Sequence, residues 1–276
     1  MPEAVDLTIR NLAGTEALRQ PLLGQAMARL DLPAGSRGLD IGAGIGLQSV
    51  MLASAIQPGG GVVGMDISLP LLSYARGAAK TTSAARQVSF TRADMARLPF
   101  EERSFDWAWS ADCVGYPAGD LRPILEQLRR IVRPGGLVAL LGWSSQQFLP
   151  GYAMLEARLN ATCNAYAPWL DGLPPELHFR NALHWLREAG LVDARSQTVV
   201  GDLQGPLSPQ VRQALCLVFE MLWGQPSPEA RQEDIEQFRR LCLPDSPACI
   251  ADDPAYRGSF TYTMFTARVP QDGGRS

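Results

Sequence analysis

The stretch Gly38-Leu39-Asp40-Ile41-Gly42-Ala43-Gly44-Ile45-Gly46 constrains this chain more than any other. Apolar Leu39 and Ile41 flank Asp40, as in a buried strand, and three alternating glycines follow at once. Val50, Leu52, Ala53 and Ile56 then supply an apolar face with helical spacing. A strand that ends in a glycine turn and enters a helix lets a ligand lie against bare backbone, because glycine has no Cβ and tolerates φ > 0. In open α/β sheets such crevices lie beyond the carboxyl ends of the strands.

The turn itself discriminates between ligands. A dinucleotide fingerprint needs G-x-G-x-x-G, and counting from Gly42 the third glycine is replaced by Leu47. A phosphate loop needs a Lys after its glycines, yet Lys80 is the sole lysine in the chain. An acid just before the turn would repel a pyrophosphate and suit a ligand that carries an ammonium group. The pattern left is acid-x-G-x-G-x-G.

Asp40-x-Gly42-x-Gly44-x-Gly46 resembles the first motif of class I S-adenosylmethionine (SAM) dependent methyltransferases of the small-molecule, ubiquinone and menaquinone type. The later motifs follow in order. Gly61-Val62-Val63-Gly64-Met65-Asp66-Ile67 is similar to the second strand with its ribose-binding acid. Val88-Ser89-Phe90-Thr91-Arg92-Ala93-Asp94-Met95 is similar to the third strand, and Phe105 to Asp112 to the fourth. Leu128 to Gly136 is similar to the helix and turn that lead into the fifth. The likeness is close over residues 36–143 and holds in outline over 179–269.

The resemblance implies SAM as cofactor and assigns roles. Asp40 would help hold the methionine ammonium. Gly42, Ala43, Gly44 and Gly46 would admit the ligand to the backbone. Asp66 would accept hydrogen bonds from the ribose hydroxyls, and Ile67 would line an adenine face. Asp94, beside Ala93, would meet the adenine amino group, and the Met95 amide its ring nitrogen. Ser110 and Ala111 would pass beneath the methionine part. Each acid also has an ordinary reading, as a strand-end or helix N-terminal carboxylate; the ordered set favours the ligand roles.

Catalytic candidates are few. Asp112-Cys113-Val114-Gly115 occupies the place where methyltransferases of planar amino nitrogens carry [DN]-P-P-[FY]. That departure points to a small, apolar or aromatic metabolite, with carbon, oxygen and nitrogen acceptors all open. Asp112 and His178 are the candidate bases; His184, on a helix, reads as structural. No metal site is expected. Alternatives are a SAM-binding regulatory protein without catalysis, and an enzyme that retains SAM without transferring its methyl.

Strands are expected near 37–41, 62–66, 88–92, 105–110, 137–143, 193–201 and 259–269, and helices near 16–30, 46–56, 69–80, 120–132 and 179–189. Their alternation argues an α/β fold. The resemblance implies a Rossmann-like seven-stranded sheet, order 3-2-1-4-5-7-6, with the last strand antiparallel. One domain is expected, with a core over 31–143, 179–202 and 258–270. Helical cap insertions over 144–178 and 203–257 would cover the methyl group. In the second, Val211, Leu215, Val218 and Leu222 form one stripe after Ser208-Pro209, and Ile235, Phe238 and Leu241 another after Ser227-Pro228. Ser-Pro at each start reads as N-cap and first helical residue.

Charge excludes more than it proves. A net charge of −3 without a basic stripe argues against a nucleic-acid partner. No signal-peptide pattern or membrane-length apolar run occurs, so a cytoplasmic protein is expected, with a homodimer open. The five cysteines lack C-x-x-C and read as free thiols. Cys113, Cys163 and Cys216 raise a minor arsenite-binding reading. The cap aromatics Phe148, Tyr152, Tyr166, Trp169, Phe219 and Trp223 are expected mostly as core, with a few lining a substrate pocket.

Overall fold

Strand register shows how the motifs meet. In the structure, a computed structural model that describes residues 2–162 and 174–271, β1 (Arg37–Ile41) pairs in parallel with both β2 (Gly61–Asp66) and β4 (Phe105–Ala111). Ile41 stands opposite Met65 on one side and Ser110 on the other, and Asp66 stands opposite Arg92 of β3 (Val88–Arg92). Every motif therefore leaves its strand at the same edge. With β5 (Val132–Gln147), β6 (Val192–Gln204) and β7 (Arg257–Arg268) the sheet has seven strands in the order 3-2-1-4-5-7-6, the last antiparallel.

The strands form where β-branched, aromatic and other apolar residues run continuously, because a parallel sheet is buried on both faces. Leu39, Val62, Trp107, Ala108, Trp109, Val138 and Leu140 are all buried. Crossover helices cover them: α3 (Leu47–Ala55), α4 (Leu69–Ala79) and α5 (Arg122–Ile131). Ser68 caps α4 by accepting the Leu71 N–H, with Pro70 in its first turn. Leu125, Leu128 and Ile131 turn one face of α5 inward, and the Arg130 guanidinium bonds the Leu98 and Phe100 carbonyls.

The chain divides into two compact units. One comprises Leu23–Trp143, Pro174–Val199 and Thr263–Ser276, and holds β1 to β4 and their crossover helices. The other comprises Met1–Leu22, Ser144–Leu173 and Val200–Tyr262. The second unit contains α1 (Pro2–Gly14), α6 (Ala153–Thr162), α8 (Pro209–Trp223) and α9 (Gln232–Cys242). Phe148, Phe219, Trp223 and Phe260 are fully buried there; Phe219 stacks on Trp223 at 5.6 Å and meets Phe148 edge-on at 5.9 Å. These aromatics are core. Tyr152 is exposed, while Tyr166, Trp169 and Cys163 lie outside the described residues.

Three expectations need correction. Ser208 does cap α8, accepting the Val211 N–H, but Ser227 does not start α9. Its hydroxyl accepts from the Glu229 N–H and its carbonyl from the Ala230 N–H, a closed turn, and the helix begins at Gln232. Local hydroxyl bonds compete with capping at such positions. Second, Pro134-Gly135-Gly136 is not a turn before the fifth strand. It belongs to β5 as an irregularity opposite Phe105 and Trp107, because the Gly135 N–H and the Gly136 carbonyl both bond Val269. Third, His184 is an exposed residue of α7 (Ala182–Glu188) that pairs with Glu188 at 3.2 Å, and Ala182, Trp185 and Leu186 make the buried face. The helix expected near 16–30 is α2 (Glu16–Ala28), and α6 lies in the first expected helical insertion, whereas α1 was not anticipated from the sequence.

Candidate functional site

The glycine turn after β1 is built from left-handed backbone. Gly42, Gly44 and Gly46 have φ of 75°, 53° and 81°. A Cβ at Gly42 would collide with the Cys113 side chain, and one at Gly46 would come within 2.7 Å of Phe90 and 2.8 Å of Ala75. Space and conformation thus both require glycine there. The Gly42 and Ala43 N–H groups donate to the Met65 carbonyl at 2.9 Å, so β2 holds the turn in place.

Asp66 reaches the same turn. Its Oδ2 accepts the Gly44 N–H at 3.0 Å and its Oδ1 the Ser68 N–H at 2.9 Å. Each oxygen keeps a lone pair for a further donor. Ile67 beside it is 63% exposed, an apolar side chain in the open next to a carboxylate. The Ala93 N–H donates to the Asp66 carbonyl, which sets the third strand end against the second. Asp94 is exposed, and its Oδ1 accepts the Ala96 N–H; Met95 is half-buried next to it.

Asp40 is enclosed. It is buried, and Ser49 Oγ donates to its Oδ2 at 2.6 Å. Burial pushes the carboxyl up to about 7, against the lowering effect of the Ser49 bond, and the nearby Asp66 charge raises it further. A cation would reverse that balance by favouring the charged form. Ser49 was missed in the sequence. The signal was a hydroxyl in the first turn of that helix, three residues after the last glycine of the motif.

Ser110 and Ala111 end β4. The buried Ser110 hydroxyl donates to the Ile41 carbonyl at 3.0 Å and accepts the Val114 N–H at 3.1 Å. It fastens the fourth strand to the first at the base of the turn. Asp112 follows with φ of 50°, its Oδ1 accepting the Trp143 N–H at 2.9 Å. Burial pushes the Cys113 thiol up to about 12, and the Asp66, Asp40 and Asp112 charges add to that rise. Such a thiol is not a nucleophile at neutral pH.

His178 belongs to the same unit. It bridges Ala118 in a short antiparallel pairing, and the flanking Phe179 N–H donates to the Pro117 carbonyl. This brings residue 178 against the loop that follows β4. Its Nδ1 accepts the Arg180 N–H at 3.1 Å. The neutral ring therefore carries its proton on Nε2, a tautomer assigned from that bond. Burial and the Arg180 charge lower its basicity. His178 thus offers a hydrogen-bond donor rather than a ready base.

Among the described residues no group of His, Cys, Asp and Glu has the arrangement to hold a metal ion. Cys216 faces Cys249 with sulfurs 3.9 Å apart.

Comparison with known proteins agrees with this geometry. Residues 39–136 match a family described as "Methyltransferase domain". A demethylmenaquinone methyltransferase of Oceanobacillus iheyensis is 33% identical over 129 residues, 46% of this chain and 52% of that protein. The methyltransferase GfsG of Streptomyces halstedii is 33% identical over 116 residues, 42% of this chain and 41% of that protein. The chain thus spans about half the length of the curated relatives it matches. Among solved structures, the methyltransferase bound to the Haloferax volcanii Trm112 activator superposes with a TM-score of 0.59 at 19% identity, covering 98% of this chain and 97% of that one. Phosphoethanolamine N-methyltransferase 2 of Haemonchus contortus gives 0.53 at 20% identity, over 90% of this chain and 52% of that one. At such identities these likenesses show the fold. With the ordered motifs at one sheet edge, the chain is similar over residues 39–136 to the methyltransferase-domain family, on the seven-stranded Rossmann-like fold of its solved neighbours.

Proposed function

We propose that the protein transfers the methyl group of SAM to a small, apolar or aromatic metabolite. The observation that carries this reading is the bond from the Gly44 N–H to Asp66 Oδ2. It ties the glycine turn that follows β1 to the acid that ends β2. The site fits the cofactor by its donor set. Asp66 retains acceptor capacity for two ribose hydroxyls, and charge-assisted bonds of this kind contribute about 1.5–3 kcal/mol each. Asp40, costly to ionise alone, suits an ammonium partner nearby. At Gly42 any Cβ would collide with the Cys113 side chain, so the turn keeps its bare backbone. Ile67 offers an apolar face to an adenine, with Asp94 and the Met95 amide at its edge, and Ser110 and Ala111 form the backbone beneath the methionine part.

SAM supplies an electrophilic methyl on a sulfonium centre. The protein's task is then to hold an acceptor in line at near-attack distance. We assign the orienting of the acceptor to Asp112, which is fixed to β5 through the Trp143 N–H, and to His178, whose Nε2 is left as a donor. Carbon and amine acceptors need no strong base. The small-metabolite class is supported by the Asp112-Cys113-Val114-Gly115 sequence and by the demethylmenaquinone methyltransferase name of a relative. No helix among the described residues is long and apolar enough to cross a membrane.

Calorimetric titration with SAM and with S-adenosylhomocysteine, against NAD, tests the cofactor assignment. Micromolar binding of the first two and none of NAD is expected; absence of binding with candidate acceptors present would reject it. Labelled methyl transfer to a metabolite panel tests catalysis. SAM that binds and is never consumed would instead favour a regulatory protein.

A further inference from the structure

A cleft of about 520 Å³ lies within the unit that holds α6, apart from the residues discussed above. One face of α6 forms its floor through Ala153, Glu156, Ala157 and Asn160, spaced i, i+3, i+4 and i+7. The end of β5 and the start of β7 form its walls. Its volume is that of a small-molecule site.

Glu156 decides what could occupy it. The side chain is buried, with 7% of its surface exposed, yet it lines the cleft. Its two oxygens accept the Phe148 and Leu149 N–H groups at 2.8 and 3.0 Å. No described Lys, Arg or His pairs with it. Two amides hold the carboxylate in place without neutralising it, and each oxygen keeps a lone pair. The other charged lining residues are Asp202 and Arg257, which pair with each other at 3.2 Å, and Arg257 also donates to Gln204, so the lining cation is already engaged. One turn along the same face from Glu156, Asn160 is fixed in orientation, its Oδ1 accepting from both Trp223 Nε1 and Gln146 Nε2. A buried charge without an ionic partner is costly to hold, and a cation in the adjoining cavity would offset that cost.

We propose that this cleft binds a small molecule through an ammonium group seated on Glu156. The bond is a charge-assisted N–H···O contact. Ala153 and Ala157 leave room for a short aliphatic chain, and Asn160 offers a fixed amide at its far end. The proposal stands apart from the cofactor reading, because no cleft residue belongs to the methyltransferase motifs.

Titration of the full chain with ethanolamine hydrochloride tests it, with ethylene glycol as the neutral counterpart and sodium acetate as the anionic one. Saturable millimolar binding of ethanolamine is expected, with no saturation by the other two. Glu156→Gln should weaken that binding tenfold or more. Ala157→Leu, at an exposed helix position, fills the floor while leaving the Glu156 bonds intact, and should weaken it likewise. Circular dichroism checks that each variant is folded; if Glu156→Gln unfolds, Ala157→Leu alone decides. Lack of saturation by ethanolamine, equal binding of ethylene glycol, preferential binding of acetate, or affinity unchanged in a folded variant would each overturn the proposal.

Discussion

At the residue scale, the acids of the site differ in how the fold treats them. Asp66 is half-buried and hydrogen-bonded to two amides, so its ligand role should be the most sensitive to change. Asp66→Ala is expected to weaken SAM binding at least tenfold, about 1.4 kcal/mol, by calorimetry. Affinity equal to that of the parent would refute the ribose assignment. Asp40 makes a prediction in pH. Its carboxyl sits at about 7 in the fold against 3.8 ordinarily, so the native state binds more protons than the unfolded state between those values. Asp40 therefore costs the fold nothing below about pH 4, and its own contribution lowers stability progressively as pH rises toward 7. The full effect is about 4 kcal/mol at 1.36 kcal/mol per pKa unit. Asp40→Asn should flatten that slope in urea denaturation measured from pH 4.5 to 8. An undiminished slope would assign it to other groups.

Elements are where local chemistry and packing compete. The turn after β1 is left-handed at three glycines, and Cys113 occupies the space beside Gly42. Gly42→Ala should cost about 1–3 kcal/mol in stability from backbone conformation alone and abolish measurable SAM affinity. Adding Cys113→Ala should recover only the steric share, which a comparison of the two melting curves would show. The two Ser-Pro pairs make a matched test. Ser208→Ala removes a cap and should cost about 1 kcal/mol, whereas Ser227→Ala caps nothing and should cost less. Equal losses in thermal denaturation would mean that the Ser227 turn matters as much as a helix start.

On the scale of the whole molecule, the net charge of −3 and the single lysine predict no retention of duplex DNA or RNA at about 0.1 M salt, checked by filter binding. Retention that falls with salt would contradict the small-metabolite reading. The sequence alone determined that seven strands alternate with helices along the chain, and for β1 to β4 it set their extent to within a residue, because a parallel strand buried on both faces must be a short apolar run; the longer β5 to β7 overran that expectation. It also determined which acids end those strands, since Asp40, Asp66 and Asp94 sit at positions the register brings to one edge. The tertiary structure decided what those acids touch. Ser49 against Asp40, the Gly44 amide against Asp66 and Trp143 against Asp112 are contacts between residues far apart or on different elements, and no spacing rule encodes them. The same holds for His178, whose tautomer follows from one backbone bond, and for Glu156, which reads in sequence as an ordinary helix acid. Burial is a property of everything packed around a side chain, so only the folded chain can say which charges are enclosed and which still lack a partner.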